Sequence, residues 1–147
     1  MKFEPISNLD SRYNPIIPTR STKHSAGYDF SALRDTIVPP HGIALIQTGI
    51  KAQIDEGYYL QLAVRSSTPK KKGLILANGI GIVDGDYYNN PDNEGHIMFQ
   101  MFNTTDKEVL VTAGERIGQG VFLKYAVTDD DNAEGERLGG FGSTGTK

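Results

Sequence analysis

Cysteine is absent from this chain of 147 residues. Disulfides and thiolate-bound metals are therefore excluded, and a reducing, cytoplasmic setting is expected, because small secreted domains commonly depend on disulfides. Long apolar runs are missing too. Nothing approaches the roughly 20 apolar residues that span a bilayer, and the opening MKFEPISNLD carries charge and Pro where a signal peptide needs an apolar block. No membrane partner is expected. An excess of basic charge is also lacking: 15 Lys and Arg against 18 Asp and Glu leave a net charge of −3. A nucleic-acid partner is not expected, since neutralising a phosphate backbone takes clustered basic groups. A small polyanion stays open where basic groups converge or a cation accompanies it. His24, His41 and His96 lack the spacing of zinc ligands, and no Gly-x-Ser-x-Gly elbow occurs.

What the chain does have is 17 Gly and many short apolar runs broken by turn residues. That pattern predicts strands rather than helices. Strands are expected over Tyr28–Leu33, Thr36–Val38, Ile43–Ile54 and Tyr58–Val64, then in HIMFQMFN, KEVLVT and RIGQGVFL. In YYLQLAV the period of two puts Leu60, Leu62 and Val64 on one face. One helical turn fits within Ser66–Lys72, capped by Ser66 or Ser67. Asn78-Gly79 and Asp84-Gly85 are hairpin-type turn signals. The expected fold is all-β, a jelly-roll-like sandwich or barrel over residues 1–127, with a flexible C-terminal arm over 128–147.

Several stretches bear on chemistry. In VRSSTPKKKG a strand ends at Arg65, Ser66 and Ser67, offering a guanidinium, two hydroxyls and backbone N–H groups to an anion. Lys70, Lys71 and Lys72 also read as a plain solvated patch. Asp84 in GIVDGDYY is a turn carboxylate or a general base within reach of a water. Adjacent Tyr87 and Tyr88 face opposite ways if extended, one toward the core and the other toward a ligand. In RIGQGVFL, alternation places Gln119 among Ile117, Val121 and Leu123. Burying that amide unpaired costs roughly 1–3 kcal/mol, so it meets a backbone partner or a polar cleft. The terminal LGGFGSTGTK looks like a phosphate cradle, but no helix follows it as a P-loop requires. It is either a frayed end or a segment that orders on a partner.

In order, HSAGYDF, VRSSTPKKKG, NGIGIVDGDY, GERIGQG and ERLGGFGSTG resemble the five ordered motifs of the trimeric dUTPases, from about Ser25 to Gly145. Each motif alone is weak; all five in sequence are specific. The resemblance implies a jelly-roll-like subunit and a homotrimer with active sites at subunit interfaces. It implies Mg²⁺-dependent hydrolysis of dUTP to dUMP and pyrophosphate, which keeps uracil out of DNA and supplies dUMP for dTMP synthesis. By that resemblance Asp84 activates the water that attacks the α-phosphorus. Arg65, Ser66, Ser67 and Gln119 would hold phosphates. Asn78 with Gly81, Ile82 and Val83 would read uracil, and Tyr87 would pack under the deoxyribose. Asp29 would support the metal through water without touching it. Arg137 would reach the γ-phosphate, Phe141 would stack on uracil, and Gly142, Ser143 and Thr144 would close on the phosphates as a lid.

The chain departs from the family pattern in places. YNNPDNEGHI follows Tyr87 where the family runs directly into the next strand, so a lengthened loop is expected at Asn89–Gly95. Leu138 replaces a usual Gly, the Arg137-to-Phe141 spacing is one residue short, and Phe30 stands for a usual Leu. Two alternatives accompany this reading. One is a relative of the dCTP deaminases, which share the fold. The other is a dUTPase that also binds a regulatory protein through NNPDNEG.

Overall fold

Ile97, Phe99, Met101 and Asn103 are buried, and the residues between them are half-exposed. This alternation marks a strand with one face on a core. It recurs through the protein, a computed structural model that describes residues 1–140. The strands are β1 (Lys2–Pro5), β2 (Thr19–Arg20), β3 (Tyr28–Ser31), β4 (Thr36–Val38), β5 (Ile43–Gln53), β6 (Tyr58–Val64), β7 (Leu74–Leu76), β8 (Gly81–Val83), β9 (Ile97–Asn103), β10 (Val109–Val111) and β11 (Arg116–Lys124). A single short helix, α1 (Thr68–Lys72), and a 3₁₀ turn at Gly85–Tyr87 complete the described elements. The fold is jelly-roll-like, as the composition predicts. No helix among the described residues is long and apolar enough to cross a membrane.

Three antiparallel sheets enclose one core. Their orders are β1-β5-β9-β7, β2-β3-β11-β6-β8 and β10-β4. Each contributes to the same apolar cluster: Ile46, Phe99 and Leu74 from the first, Phe30, Leu60 and Ile117 from the second, Val38 and Val111 from the third. The rings of Phe30 and Phe99 meet across the two larger sheets at 5.6 Å between centroids. Phe30, where a Leu is usual, thus fills the centre of the sandwich and is fully buried.

The β11 face differs from its expected alternation. A register shift lies between Arg116 and Gly118, so Ile117 is buried through a bulge. Beyond it Gly118, Gly120 and Phe122 turn inward, and Gln119, Val121 and Leu123 turn out. The inward residues are glycine because the rings already fill that space. A Cβ at Gly118 would lie 2.1 Å from Phe99 Cε1, and one at Gly120 would lie 2.8 Å from Phe30 Cε2. Overpacking of this kind costs about 1–3 kcal/mol. Two strand ends also move inward by one or two residues: β3 stops at Ser31 and β5 at Gln53.

A second bulge, in β5, depends on a histidine. The β5–β9 register shifts between Gln47 and Ile50. Thr48 Oγ1 donates to Ile97 O (2.6 Å), and the Gly49 N–H donates to His96 Nε2 (2.9 Å). An acceptor nitrogen must be unprotonated, and His96 is only 7% exposed. Burial, with the nearby charge of Arg34, pushes its pKa down to about 4, while Glu94 opposes the shift. A depressed folded-state pKa means that the unfolded chain protonates first as pH falls. The stability from this group is complete above about pH 6.5, declines toward pH 4, and then levels off. Unfolding free energy measured in urea should fall by roughly 3 kcal/mol across that window. A His96→Gln variant should lose that slope; an unchanged slope would show that another group carries it.

Candidate functional site

Asp84 is positioned by strand pairing. β8 lies at the edge of its sheet, with Gly81, Ile82 and Val83 opposite Leu62, Gln61 and Leu60 of β6. Asp84 follows at once in an extended conformation, and its carbonyl accepts the Tyr87 N–H at 3.2 Å. Asp84-Gly85 therefore starts a 3₁₀ turn and not the expected hairpin. Asn78-Gly79 does reverse the chain, but the flanking strands do not pair with each other. β7 joins β9 in one sheet and β8 joins β6 in the other. The split leaves the outer edge of β8 free. Among the described residues, no backbone hydrogen bond reaches Gly81–Val83 except from β6. A free strand edge is a row of N–H and C=O groups ready to pair with a planar polar ligand.

That edge borders a cavity of about 200 Å³, which Asn78, Asp84, Tyr87, Arg137 and Gly140 also line. Tyr87 is buried, and its hydroxyl donates to His96 O at 2.9 Å. Burial raises its pKa, against a hydrogen bond from Asn93. Tyr87 is thus both part of the core and part of the cavity wall, positions expected to be divided between Tyr87 and Tyr88. Tyr88 turns to the Glu4 carboxylate instead. Arg137 bonds the Asp84 carboxylate and donates through Nε to Asp86 Oδ1 at 2.7 Å. Asp86 thus faces the same partner as Asp84, although the segment between them is not extended. Phe141, Gly142, Ser143 and Thr144 lie outside the described residues.

The remaining expected residues gather elsewhere. Arg65 follows β6, and its Nε lies 3.7 Å from Asp29 Oδ1 on β3. Arg116 Nη1 donates to Asp29 Oδ2 at 3.0 Å, and Ser21 Oγ donates to the same oxygen at 2.6 Å. Burial pushes the Asp29 carboxyl up, but these bonds and the two guanidinium charges outweigh it and hold the group below the usual range. Gln119 sits opposite Asp29 and Ala63 in the sheet, with its amide oxygen against Gly27. It is half-exposed and pairs across the sheet with Asp29 of the charged cluster. Ser67 occupies the N-cap of α1 without a side-chain bond, and Ser66 is exposed. Arg65, Ser67, Lys71, Lys72 and Arg116 rim a second hollow of about 160 Å³.

These two groups sit at opposite ends of one strand. Asp84 continues past the Val83–Leu60 pair to the level of Tyr59, whereas Arg65 follows Val64. At about 3.3 Å per residue they are roughly 20 Å apart. Reasoning from sequence overlooked Arg116, which lies inside GERIGQG, and also Asn93 and His96, which hold Tyr87. Of these only Arg116 carried a signal in the sequence, as a charge at the start of the strand that holds Gln119. The described residues hold no cluster of three His, Asp or Glu suited to a metal.

The dUTPase family model matches residues 14–145. A curated deoxyuridine 5'-triphosphate nucleotidohydrolase from Lactococcus lactis is 56% identical over 131 residues, covering 88% of this chain and 87% of that protein. The crystal structure of a dUTPase from Streptococcus mutans superposes with a TM-score of 0.83 at 46% identity, over 88% of this chain and 99% of the other. A mutant dUTPase from phage phi11 of S. aureus, described with a coordinated structural Mg(II) ion, gives 0.71 at 19% identity over 91% and 96%; at that identity the likeness carries the fold.

Proposed function

The chain belongs to the dUTPase family and hydrolyses dUTP to dUMP, and we propose that Asp84 is the base that deprotonates the attacking water. The observation that carries this assignment is the cavity in which Asp84 meets a free strand edge and a buried Tyr. The edge of Gly81–Val83, with the Asn78 amide, pairs with the uracil rim. A slot fitted to uracil crowds out the thymine methyl and leaves groups unpaired against the cytosine amino group. Tyr87 packs beneath the deoxyribose, where it leaves no room for a 2′-hydroxyl. Asp84 removes the water proton as the water's oxygen bonds the α-phosphorus, and pyrophosphate leaves. Phosphoryl transfer needs mainly positioning and charge neutralisation, which suits a site of few side chains.

Arg65, Ser66, Ser67 and Gln119 hold the phosphates, and they come from a neighbouring copy. The support is the separation of about 20 Å between Arg65 and Asp84 along β6, too far for one small nucleotide to bridge within one chain. A homotrimer with sites at its interfaces meets this requirement. An apolar row on the outer face of the four-stranded sheet also supports association, with exposed Ile43 and Ile75 on either side of Phe102. The carboxylates among the described residues are too dispersed for an all-protein metal cage, which fits a Mg²⁺ carried on substrate oxygens. Asp29 would support it through water, and when bound the ion would neutralise triphosphate charge.

Arg137 exchanges its bonds to Asp84 and Asp86 for the γ-phosphate, a more highly charged partner, and so releases the base. The arm over residues 128–147 then closes, with Phe141 on uracil and Gly142, Ser143 and Thr144 on the phosphates. Closure excludes bulk water and strengthens each charge contact inside. A cytoplasmic location fits the absence of cysteine.

Pyrophosphate release should be measured with dUTP, dTTP, dCTP and UTP. dUTP alone should turn over well, and Asp84→Asn should cut that turnover at least ~100-fold while nucleotide binding survives. A variant within a few-fold of wild type would remove Asp84 as the base, and ammonia release from dCTP would favour the deaminase alternative. Chains carrying Asp84→Asn and chains carrying Arg65→Ala should be inactive separately. Assembled together they should regain activity in roughly a quarter of the sites, because one interface in four pairs two intact residues. No recovery would place both residues in one chain's site. Deleting residues 136–147 should leave an assembled, folded body with turnover reduced by orders of magnitude; full turnover would end the lid assignment.

A further inference from the structure

The inserted segment Asn89–Gly95 is built around Tyr87. Asn90 is 4% exposed and donates through Nδ2 to Tyr87 O (2.8 Å) and to Asn93 Oδ1 (2.9 Å). Its own Oδ1 accepts the N–H groups of Asp92 and Asn93, at 3.0 and 3.1 Å. Asn93 Oδ1 also accepts the Gly95 N–H at 3.0 Å. With two donors on that oxygen, the Asn93 amide can point only its nitrogen at Tyr87, and Nδ2 donates to the Tyr87 hydroxyl at 2.9 Å. The hydroxyl in turn donates to His96 O.

The loop is anchored at its far end as well. Glu94 accepts bonds from Ser7 N and Oγ (2.9 and 2.5 Å) and from Lys51 Nζ (3.3 Å), while Asn89 Oδ1 accepts from Lys51 at 2.6 Å. The Ser7 bonds hold the Glu94 carboxyl down to about 2, so it stays charged at neutral pH. The loop closes through Gly95 at φ +81°, where a Cβ would strike Tyr87 O at 2.5 Å. Only glycine combines that backbone conformation with that approach.

We infer that Asn93, held by this loop, is a positioning residue that fixes the Tyr87 ring and thereby sets the discrimination between 2′-deoxy and 2′-hydroxy nucleotides. The inference rests on the sugar-packing role proposed for Tyr87. Excluding one oxygen requires a wall that does not yield, and a ring free to shift by about 1 Å admits it. Here Asn90 holds the backbone carbonyl of Tyr87, Asn93 and His96 hold the ring hydroxyl, and Gly140 lies against the ring edge. The insertion adds rigidity at the point where the sugar is read.

The test compares kcat and KM for dUTP and UTP in the full-length assembled enzyme. Asn93→Ala should leave kcat for dUTP within about twofold and lower the dUTP-to-UTP ratio of kcat/KM about tenfold, through better use of UTP. Asn93→Ser keeps an acceptor for the Gly95 N–H but falls short of Tyr87, so it should behave alike, and it carries the test if the Ala variant misfolds. Tyr87→Phe, which removes this bond and the one to His96 O, should show at least that loss, and the Asn93→Ala/Tyr87→Phe double variant no more than Tyr87→Phe alone, because the Asn93–Tyr87 bond is then already gone. General destabilisation would lower both substrates together and leave the ratio unmoved. If Tyr87→Ala collapses the ratio but neither Asn93 variant changes it, the loop's role is refuted and the sugar role of Tyr87 stands. If Tyr87→Ala leaves the ratio intact, that underlying role fails and the inference falls with it.

Discussion

The antiparallel pairing of β6 with β8 is the constraint on which the rest of the molecule depends. It places Asp84 at one end of β6 and Arg65 at the other, so the two groups proposed to act on one nucleotide stand apart within one chain. It also makes β8 an edge strand, with one side paired and one side free for a ligand. Had β8 paired with β7 as an ordinary hairpin, that edge would be consumed. The sheet switch at Asn78-Gly79 therefore leaves the edge proposed to read the base, and the same geometry supports the assembly proposed to complete the site.

Both clusters pair opposite charges within the single chain. Arg137 covers the Asp84–Asp86 pair, and Arg65 with Arg116 covers Asp29. Half-buried charges need partners, and here the nearest opposite charge serves. A nucleotide triphosphate competes for the guanidinium groups with several oxygens at once. On this reading substrate binding exchanges carboxylate partners of the guanidinium groups for phosphate ones, which lets an acidic protein bind a polyanion.

Much of the fold was legible because strand alternation is a local signal. β4 and β6 fall on their expected residues, and β9 shows the period of two throughout. The failures share one cause. β11 was read as one uninterrupted alternation, and a bulge at Arg116–Gly118 inverted it. Gly118 and Gly120 carry no apolar signal, yet they face the core because Phe30 and Phe99 occupy the space above them. Asp84-Gly85 has the composition of a hairpin turn, but β8 pairs with β6 while the next strand, β9, lies in the other sheet, and the chain leaves β8 through a 3₁₀ turn. The grip of Asn93 on Tyr87 spans six residues of a polar loop that reads, residue by residue, as solvent-exposed.

Sequence by itself determined the fold class, the family and the residues proposed to meet a nucleotide. These depend on local periodicity and on ordered short motifs, which survive without knowledge of long-range pairing. Tertiary structure alone decided which of those residues meet. It separated Asp84 from Arg65, joined Asp29 to Arg116, and turned a polar insertion inward onto Tyr87. The reason is that strand order and bulges are set by how side chains fill a shared interior, a property of the whole chain that no single segment carries.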